Sequence, residues 1–348
     1  MKKVNIDNKT IGKEAYTFVI AEAGVNHNGN LELAVEMVKA AKKAGADAIK
    51  FQSFKAAKIC DRKLEEVKKV EGLTGGSKSS YDMYKSLELS DKDHKVLAKE
   101  AKNEGIMFSS SVFDLETAVF LNKMKVPFFK ISSGDITFLP LIKKVATFNK
   151  PIILSTGMST VDEILEAVRA CQQQGNEKII LLHCNAVYPP PANEVNLNAM
   201  HSMREIFKVP IGFSDHTKGF AVTLGAVAMG AAVIEKHFTL SNDLDGPDHF
   251  LSLNPKDFKE MVAGIKAINK AKGSFDKQPS SAEIPNIASG RRSIMALKDI
   301  RRGEKITKSK ITMIKPAKGI PPKFFNFIVG KKAVKAIKKH EPLTWDCI

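Results

Sequence analysis

TFVIAEAGVNHNGNLELAVEMVKAAKKAGADAIKF, Thr17 to Phe51, holds two periodicities in succession. The β-branched and aromatic run Thr17–Ala21 predicts a strand that stops at the polar Glu22. From 30 to 44, Leu31, Ala34, Val35, Val38 and Ala41 fall on one stripe with Glu and Lys opposite, which predicts an amphipathic helix. Ala48–Phe51 then opens a second strand. Worked outward, the same unit recurs through residues 15–272. Further strands are expected at Ile106–Ser109, Phe128–Ile131, Ile152–Leu154, Ile179–Leu182, Pro210–Phe213 and Val233–Ile234, and further helices at 90–103, 114–124, 138–148, 160–174, 197–206, 219–229 and 255–271. Eight strand–helix units in about 260 residues fit a closed (β/α)8 TIM barrel better than a doubly wound open sheet. The connection Gln52–Leu89, with its Gly72–Ser80 stretch, is long enough to be a functional loop and lies on the strand-to-helix side, the catalytic face of such a barrel.

Chemistry in a barrel sits where the strands end, so those positions are read one by one. Glu22 ends the first strand. Lys50 and Gln52 lie on the second, Ser109-Ser110-Ser111 on the third, and Lys130 with Ser132-Ser133-Gly134-Asp135 on the fourth. The fifth ends in Ser155-Thr156-Gly157, and the sixth in His183-Cys184-Asn185 with Tyr188 beyond. The seventh ends in Ser214-Asp215-His216 and the eighth in Glu235-Lys236-His237. A Ser-Gly after a strand is usually a turn or a cap, and a lone histidine usually structural. Polar groups at all eight ends of one mouth are another matter. Serines beside Lys50 and Lys130 suit a phosphate and a carboxylate. His216 and His237, on neighbouring strands, suit one divalent ion whose shell is completed by water and a substrate oxygen. Such an open site favours polarising a carbonyl, whereas a structural zinc needs four protein ligands.

The chain has 348 residues, a formal charge of +16 and a hydrophobic fraction of 43%. That fraction supports a sizeable core and argues against disorder. The charge is uneven: residues 291–348 carry sixteen Lys or Arg against four Asp or Glu, a net +12, and residues 1–290 only +4. The expected organisation is a catalytic barrel at 1–272, a linker at 273–290, and a small β-rich domain at 291–348 with strands at Ser293–Ala296 and Lys332–Ala336. A basic tail is compatible with nucleic acid, but it lacks zinc-finger spacing and an RNP-like aromatic pattern. No apolar run approaches a membrane span, and the N-terminus lacks the apolar core of a signal peptide. Cys60, Cys171, Cys184 and Cys347 form no CxxC pair, so a reducing cytoplasm is expected. A metal-dependent hydrolase barrel would commonly open with an HxH pair, and the first strand here leads into Asn26-His27-Asn28 instead.

The chain resembles the sialic acid (N-acetylneuraminate) synthase family. The resemblance rests on Ile20–Gly29, Ile49–Gln52, Lys130–Asp135, Ile153–Met158, Leu182–Cys184 with Tyr188-Pro189, Gly212–Thr217, Ile234–Thr239 and Gly246-Pro-Asp-His249. Residues 291–348 resemble the antifreeze-like SAF (β-clip) domain that follows the barrel there. The resemblance implies a transferase that condenses phosphoenolpyruvate with an open-chain N-acylated hexosamine and water, forming a carbon–carbon bond and releasing phosphate. N-acetylmannosamine is the first expectation. A 2,4-diacetamido sugar leading to legionaminic acid, or a 6-phosphorylated hexosamine, is the alternative. Carried over by motif, Lys50 and Lys130 would hold the phosphoenolpyruvate carboxylate, and Ser111, Ser133, Ser155 and Ser214 its phosphate. Gln52, Tyr188, Asp248 and Lys315 would contact the sugar, and His216 and His237 would bind manganese, or magnesium or cobalt in its place. Glu22 would be the acid/base group, with Asp215 and Glu235 also catalytic. A domain-swapped cytoplasmic homodimer is implied, with no nucleic-acid or membrane partner. Three departures stand out. Ala186 replaces a polar side chain near the phosphate, leaving Asn185 or a water to serve. Lys315 replaces an arginine whose bidentate contact lysine cannot reproduce. The loop Gln52–Leu89 contains no asparagine to contact the sugar.

Overall fold

The computed structural model describes residues 2–12, 15–61 and 80–348. It divides into two units, Met1–Gly273 and Ser274–Ile348. The first opens with a hairpin of β1 (Val4–Ile6) and β2 (Lys9–Ile11). There follow β3 (Phe18–Gly24), α1 (Leu31–Ala44), β4 (Ala48–Ser53), the short α2 (Ala56–Ile59) and α3 (Ser80–Ser86), α4 (Asp91–Glu104), β5 (Met107–Val112) and α5 (Leu115–Lys123). Next come β6 (Phe129–Ile131), α6 (Leu139–Ala146), β7 (Ile152–Ser155), α7 (Val161–Gln172), β8 (Ile179–Cys184), α8 (Ala199–Phe207), β9 (Ile211–Asp215), α9 (Ala221–Ala228), β10 (Val233–His237) and α10 (Pro255–Ala271). Strands β3 to β10 run parallel and close, β10 pairing back onto β3, into the expected eight-stranded barrel.

Local chemistry explains the alternation. Asn30 caps α1 through Leu33 N–H, and Gly45 ends it in the left-handed region at φ 91°, where a side chain would be strained. Ser90 with Asp93, and Thr160 with Glu163, form reciprocal capping boxes at α4 and α7. Outward strand residues such as Val19, Ile49, Phe129, Leu154 and Ile234 pack against the helices. Inward residues Phe18, Ile20, Ala48, Phe128, Ile153, Ile180, Leu182 and Val233 fill the barrel. Gly212 makes that filling possible: a Cβ there would lie 2.4 Å from Val233 O and 2.6 Å from Leu182 Cδ2.

The structure differs from the sequence expectation in several places. Several strands run two or three residues past their apolar runs, because polar end residues still pair, as His237 does with Glu22. The β1–β2 hairpin was not anticipated; its Val4, Ile6 and Ile11 join the interior layer and close the barrel's N-terminal end. Helices α2 and α3 lie within the long loop, of which 62–79, and so most of Gly72–Ser80, is outside the described residues.

The second unit contains α11 (Ile284–Gly290) within the stretch read as linker, then β11 (Ser293–Ala296) paired with β12 (Ile311–Ile314), and α12 (Phe325–Ile328). Lys332–Ala336 is not a strand. The chain bends at 334–335, and only the isolated bridges Lys332–Lys305 and Ile337–Ile300 form. Ile294, Ile300, Ile306, Ile320, Ile337 and Leu343 supply this unit's own core. Among the described residues no helix is long and apolar enough to cross a membrane.

Candidate active site

Strand pleating decides which side chains meet at the mouth. Two residues beyond the inward Ile20 comes Glu22; beyond Ala48 come Lys50 and Gln52; beyond Val233 come Glu235 and His237. The apolar interior layer therefore gives way to a layer of charge at the C-terminal end. Lys50 Nζ lies 2.6 Å from Glu22 Oε2 and 3.7 Å from Glu235 Oε2, and donates to Ser111 Oγ at 2.8 Å. Lys130 Nζ lies 3.5 Å from Glu235 Oε1 and donates to Ser155 Oγ at 2.6 Å. Ser214 Oγ donates to Glu235 Oε1 at 2.9 Å, and Gln52 Nε2 to Glu22 Oε1 at 3.1 Å. Ser133 Oγ accepts from Gly157 N–H at 3.0 Å.

The two carboxylates titrate apart. Burial dominates Glu22 and pushes it up to about 7, against the lowering pull of Lys50. Burial also opposes ionisation of Glu235, but the charges of Lys130 and Lys50 outweigh it and hold this carboxyl well below its ordinary range. Burial lowers Lys130; Lys50, equally buried, is raised because Glu22 and Glu235 hold its proton. Divergent values in one cleft mark a site suited to proton transfer.

His216 and His237 face one another with ring centroids 5.3 Å apart. Burial keeps both neutral, most strongly His237. His216 Nδ1 lies 2.7 Å from Asn185 O, a pure acceptor, so the proton sits on Nδ1 and Nε2 keeps its lone pair. His237 Nδ1 is buried without a hydrogen bond, 3.6 Å from Asp248 Oδ2. Tyr188 stacks on His216 at 4.0 Å and stands edge-on to His237. Burial raises Asp248 to about 6. Two neutral imidazoles and an orphaned ring nitrogen fit a divalent cation, as a two-ligand site. No group of three His, Cys, Asp or Glu among the described residues is arranged to hold one.

Not every expected residue joins this cluster. Asp215 follows the inward Ser214 and so faces the opposite way, toward α9. Its carboxylate lies 3.1 Å from Lys236 Nζ, takes the Thr223 hydroxyl and accepts from Thr217 N–H, and both members of the ion pair are fully buried. Asp215 thus sits behind the sheet, outside the lysine–carboxylate cluster of the mouth. Lys315 belongs to the second unit. Asn185, considered as the stand-in for a polar group at Ala186, ties its side-chain amide to Glu194 O and contributes its carbonyl to His216. Two mouth residues named in the sequence reading were given no role there. Cys184 projects inward, 3.8 Å from His216 Nδ1. Asn26 donates to Phe238 O and Ser252 Oγ, and Ser252 Oγ donates to Asp248 O, bracing the loop that carries Asp248. The inward register of Cys184 and the motif position of both were the available signals.

A parallel eight-stranded barrel with this lysine–carboxylate layer and paired imidazoles at its C-terminal mouth defines a (β/α)8-barrel enzyme. Comparison with known proteins makes this specific. Residues 37–277 match the NeuB family and 291–348 the SAF domain. An N,N'-diacetyllegionaminic acid synthase of Campylobacter jejuni is 45% identical over 327 residues, covering 93% of this chain and 98% of that protein. One from Legionella pneumophila is 40% identical, covering 98% and 97%. A crystal structure of an N-acetylneuraminic acid (sialic acid) synthetase from Leptospira borgpetersenii superposes with a TM-score of 0.74 at 32% identity, covering 82% of this chain and 95% of that one. The chain belongs to the NeuB family. It is an enzyme of the nonulosonic acid synthase type, a phosphoenolpyruvate-dependent transferase that forms a carbon–carbon bond.

Proposed function

We propose that this enzyme condenses phosphoenolpyruvate with the open-chain aldehyde of a 2,4-diacetamido hexose to give a legionaminic acid-type nonulosonate and phosphate. The carrying observation for the reaction is the mouth itself: two buried lysines flanked by serines, with a Glu22 near neutrality beside two neutral imidazoles. For the sugar, the support is the pair of legionaminic acid synthases at 45% and 40% identity. N-acetylmannosamine, the expectation from motifs alone, is the second reading, favoured by the likeness to the Leptospira sialic acid synthetase.

In this reading Lys50 and Lys130 take the phosphoenolpyruvate carboxylate, and Ser111, Ser133, Ser155 and Ser214 donate to its phosphate. Gln52, Tyr188 and Asp248 orient the sugar. C3 of the enol attacks the aldehyde carbon, and water adds to C2 as it becomes oxocarbenium-like. Glu22 accepts a proton of that water and passes it to the alkoxide oxygen of the former aldehyde; phosphate departs from C2 as the remaining hydroxyl proton moves to it and the C2 carbonyl forms. Glu235 keeps both lysines charged and in place. Asp215 acts only by anchoring the ends of β9 and β10 through Lys236. His216 and His237 would hold a divalent cation, manganese by resemblance, which supplies Lewis-acid polarisation of the aldehyde when bound. The barrel at 1–272 carries the chemistry. The segment 273–290 links it to residues 291–348, which cap a partner's mouth in a domain-swapped cytoplasmic homodimer, with Lys315 of the partner subunit at the sugar.

The test is incubation with phosphoenolpyruvate, manganese and a panel of hexosamines, followed by phosphate assay and product mass. Phosphate release only with a hexosamine, and fastest with the 2,4-diacetamido sugar, is expected. A faster reaction with N-acetylmannosamine overturns the choice of sugar. No release with any hexosamine overturns the reaction.

A further inference from the structure

A cavity of about 400 Å³ opens beside the mouth, over the ends of β4, β5 and β6. Gln52 lines it and also donates to Glu22, so this one side chain stands between the cavity and the acid/base carboxylate. The walls are of two kinds. Phe54, Tyr84, Phe113 and Phe138 present aromatic surface, with Phe54 edge-on to Tyr84 at 5.5 Å and to Phe113 at 5.9 Å. Phe54 is itself buried in a small cluster with Val25 and Leu87, which fixes the wall. Against it stand the carboxylate of Asp135, which takes the Ser132 hydroxyl at its Oδ2, and Lys58, whose ammonium is already engaged by Asp114 and Glu116.

A sugar that meets Gln52 with its aldehyde toward the imidazoles extends its remote carbons toward this cavity. An unsubstituted hexose end is all hydroxyl and gains little from four aromatic faces. An acylamido group has a methyl for those faces and an N–H for the carboxylate. We infer that this cavity is a specificity pocket, which takes a second acylamido group at C4 of the sugar, on the half remote from its aldehyde. The inference rests on the reading of the chain as a nonulosonate synthase and names the feature that would select a diacetamido over a monoacetamido substrate.

Gly134 gives a clean test. A Cβ built there meets nothing nearer than Ser132 Oγ at 4.0 Å, so Gly134→Leu fills the cavity without forcing the backbone. Phe138→Ala removes part of the aromatic wall and serves if the first variant fails to fold. Both are compared with the unsubstituted enzyme on N-acetylmannosamine and its 4-acetamido-4-deoxy counterpart, at saturating phosphoenolpyruvate. Expected is a rise of about tenfold or more in KM for the 4-acetamido sugar, with KM for N-acetylmannosamine and phosphoenolpyruvate nearly unchanged. Unchanged selectivity in a folded variant overturns the pocket while leaving the reaction standing. Failure of the unsubstituted enzyme to turn over either sugar overturns the reaction and the pocket with it.

Discussion

Glu22 Oε2 and Lys50 Nζ lie 2.6 Å apart on adjacent strands of the barrel, with both side chains almost wholly excluded from solvent. This contact puts a carboxyl of the mouth that burial lifts to about 7 directly beside a cation. Such a group exchanges a proton at neutral pH, which its partner Glu235, held strongly acidic by Lys130 and Lys50, does not.

Glu22→Gln is therefore expected to lower kcat by about 10²–10⁴ while leaving KM for phosphoenolpyruvate little changed. The unsubstituted enzyme should gain activity as pH rises toward about 7, where the Glu22 carboxylate forms, and the variant should lose that limb. Stability moves the other way. A carboxyl raised from 4.5 to about 7 on folding contributes stability that is present below 4.5 and is lost as pH rises through about 7. Chelator-treated protein should thus melt at a lower temperature as pH rises through that window, and Glu22→Gln should flatten the trend. Parallel melting curves for the two proteins would count against it.

Asp215 and Lys236 form a fully buried ion pair behind the sheet. Removing one partner of such a pair leaves an uncompensated charge and costs about 3–5 kcal/mol. Asp215→Ala should show this as a large drop in denaturation midpoint, with kcat of the folded fraction at low temperature nearly intact. A stable variant without activity would instead restore Asp215 to the chemistry.

That residue shows where sequence reading works and where it stops. The eight strands, most helices and the mouth residues were legible because apolar runs and 3.6-residue stripes are strong signals, and because a barrel places every strand end in one mouth. The catalytic role expected for Asp215 comes from the family resemblance, by motif position, which does not say which way a side chain faces. Alternation along β9 sends it to the opposite face, and its partner Lys236 is distant in sequence. The β1–β2 hairpin was missed for another reason. Three-residue strands carry almost no periodicity, and Ile6 and Ile11 gain their partners only once the barrel closes over them.

Those partners make the hairpin a stability element. Ile6 is fully buried within the interior layer. Ile6→Ala is expected to cost about 2–5 kcal/mol by leaving a cavity. KM for phosphoenolpyruvate, bound at the opposite end of the barrel in our reading, should not change. Equilibrium urea unfolding beside steady-state kinetics checks both halves, and a kinetic defect without loss of stability would contradict this role.

The imidazole pair makes the last prediction. His216 is held in one tautomer by Asn185 O, and the orphaned His237 Nδ1 confronts Asp248. The second arrangement leaves a buried ring nitrogen without a hydrogen bond, and both rings are kept neutral by burial, the state that binds a metal. His237→Ala leaves one protein ligand, so manganese retained after dialysis should fall from near one equivalent per chain to background. The loss should exceed the roughly 10–100-fold that disturbing a supporting contact produces. Because Lys50, Lys130 and the serines are untouched, phosphoenolpyruvate should still bind the variant, as calorimetry would detect. Full retention of manganese by His237→Ala would show that the cation, if the enzyme uses one, is held elsewhere.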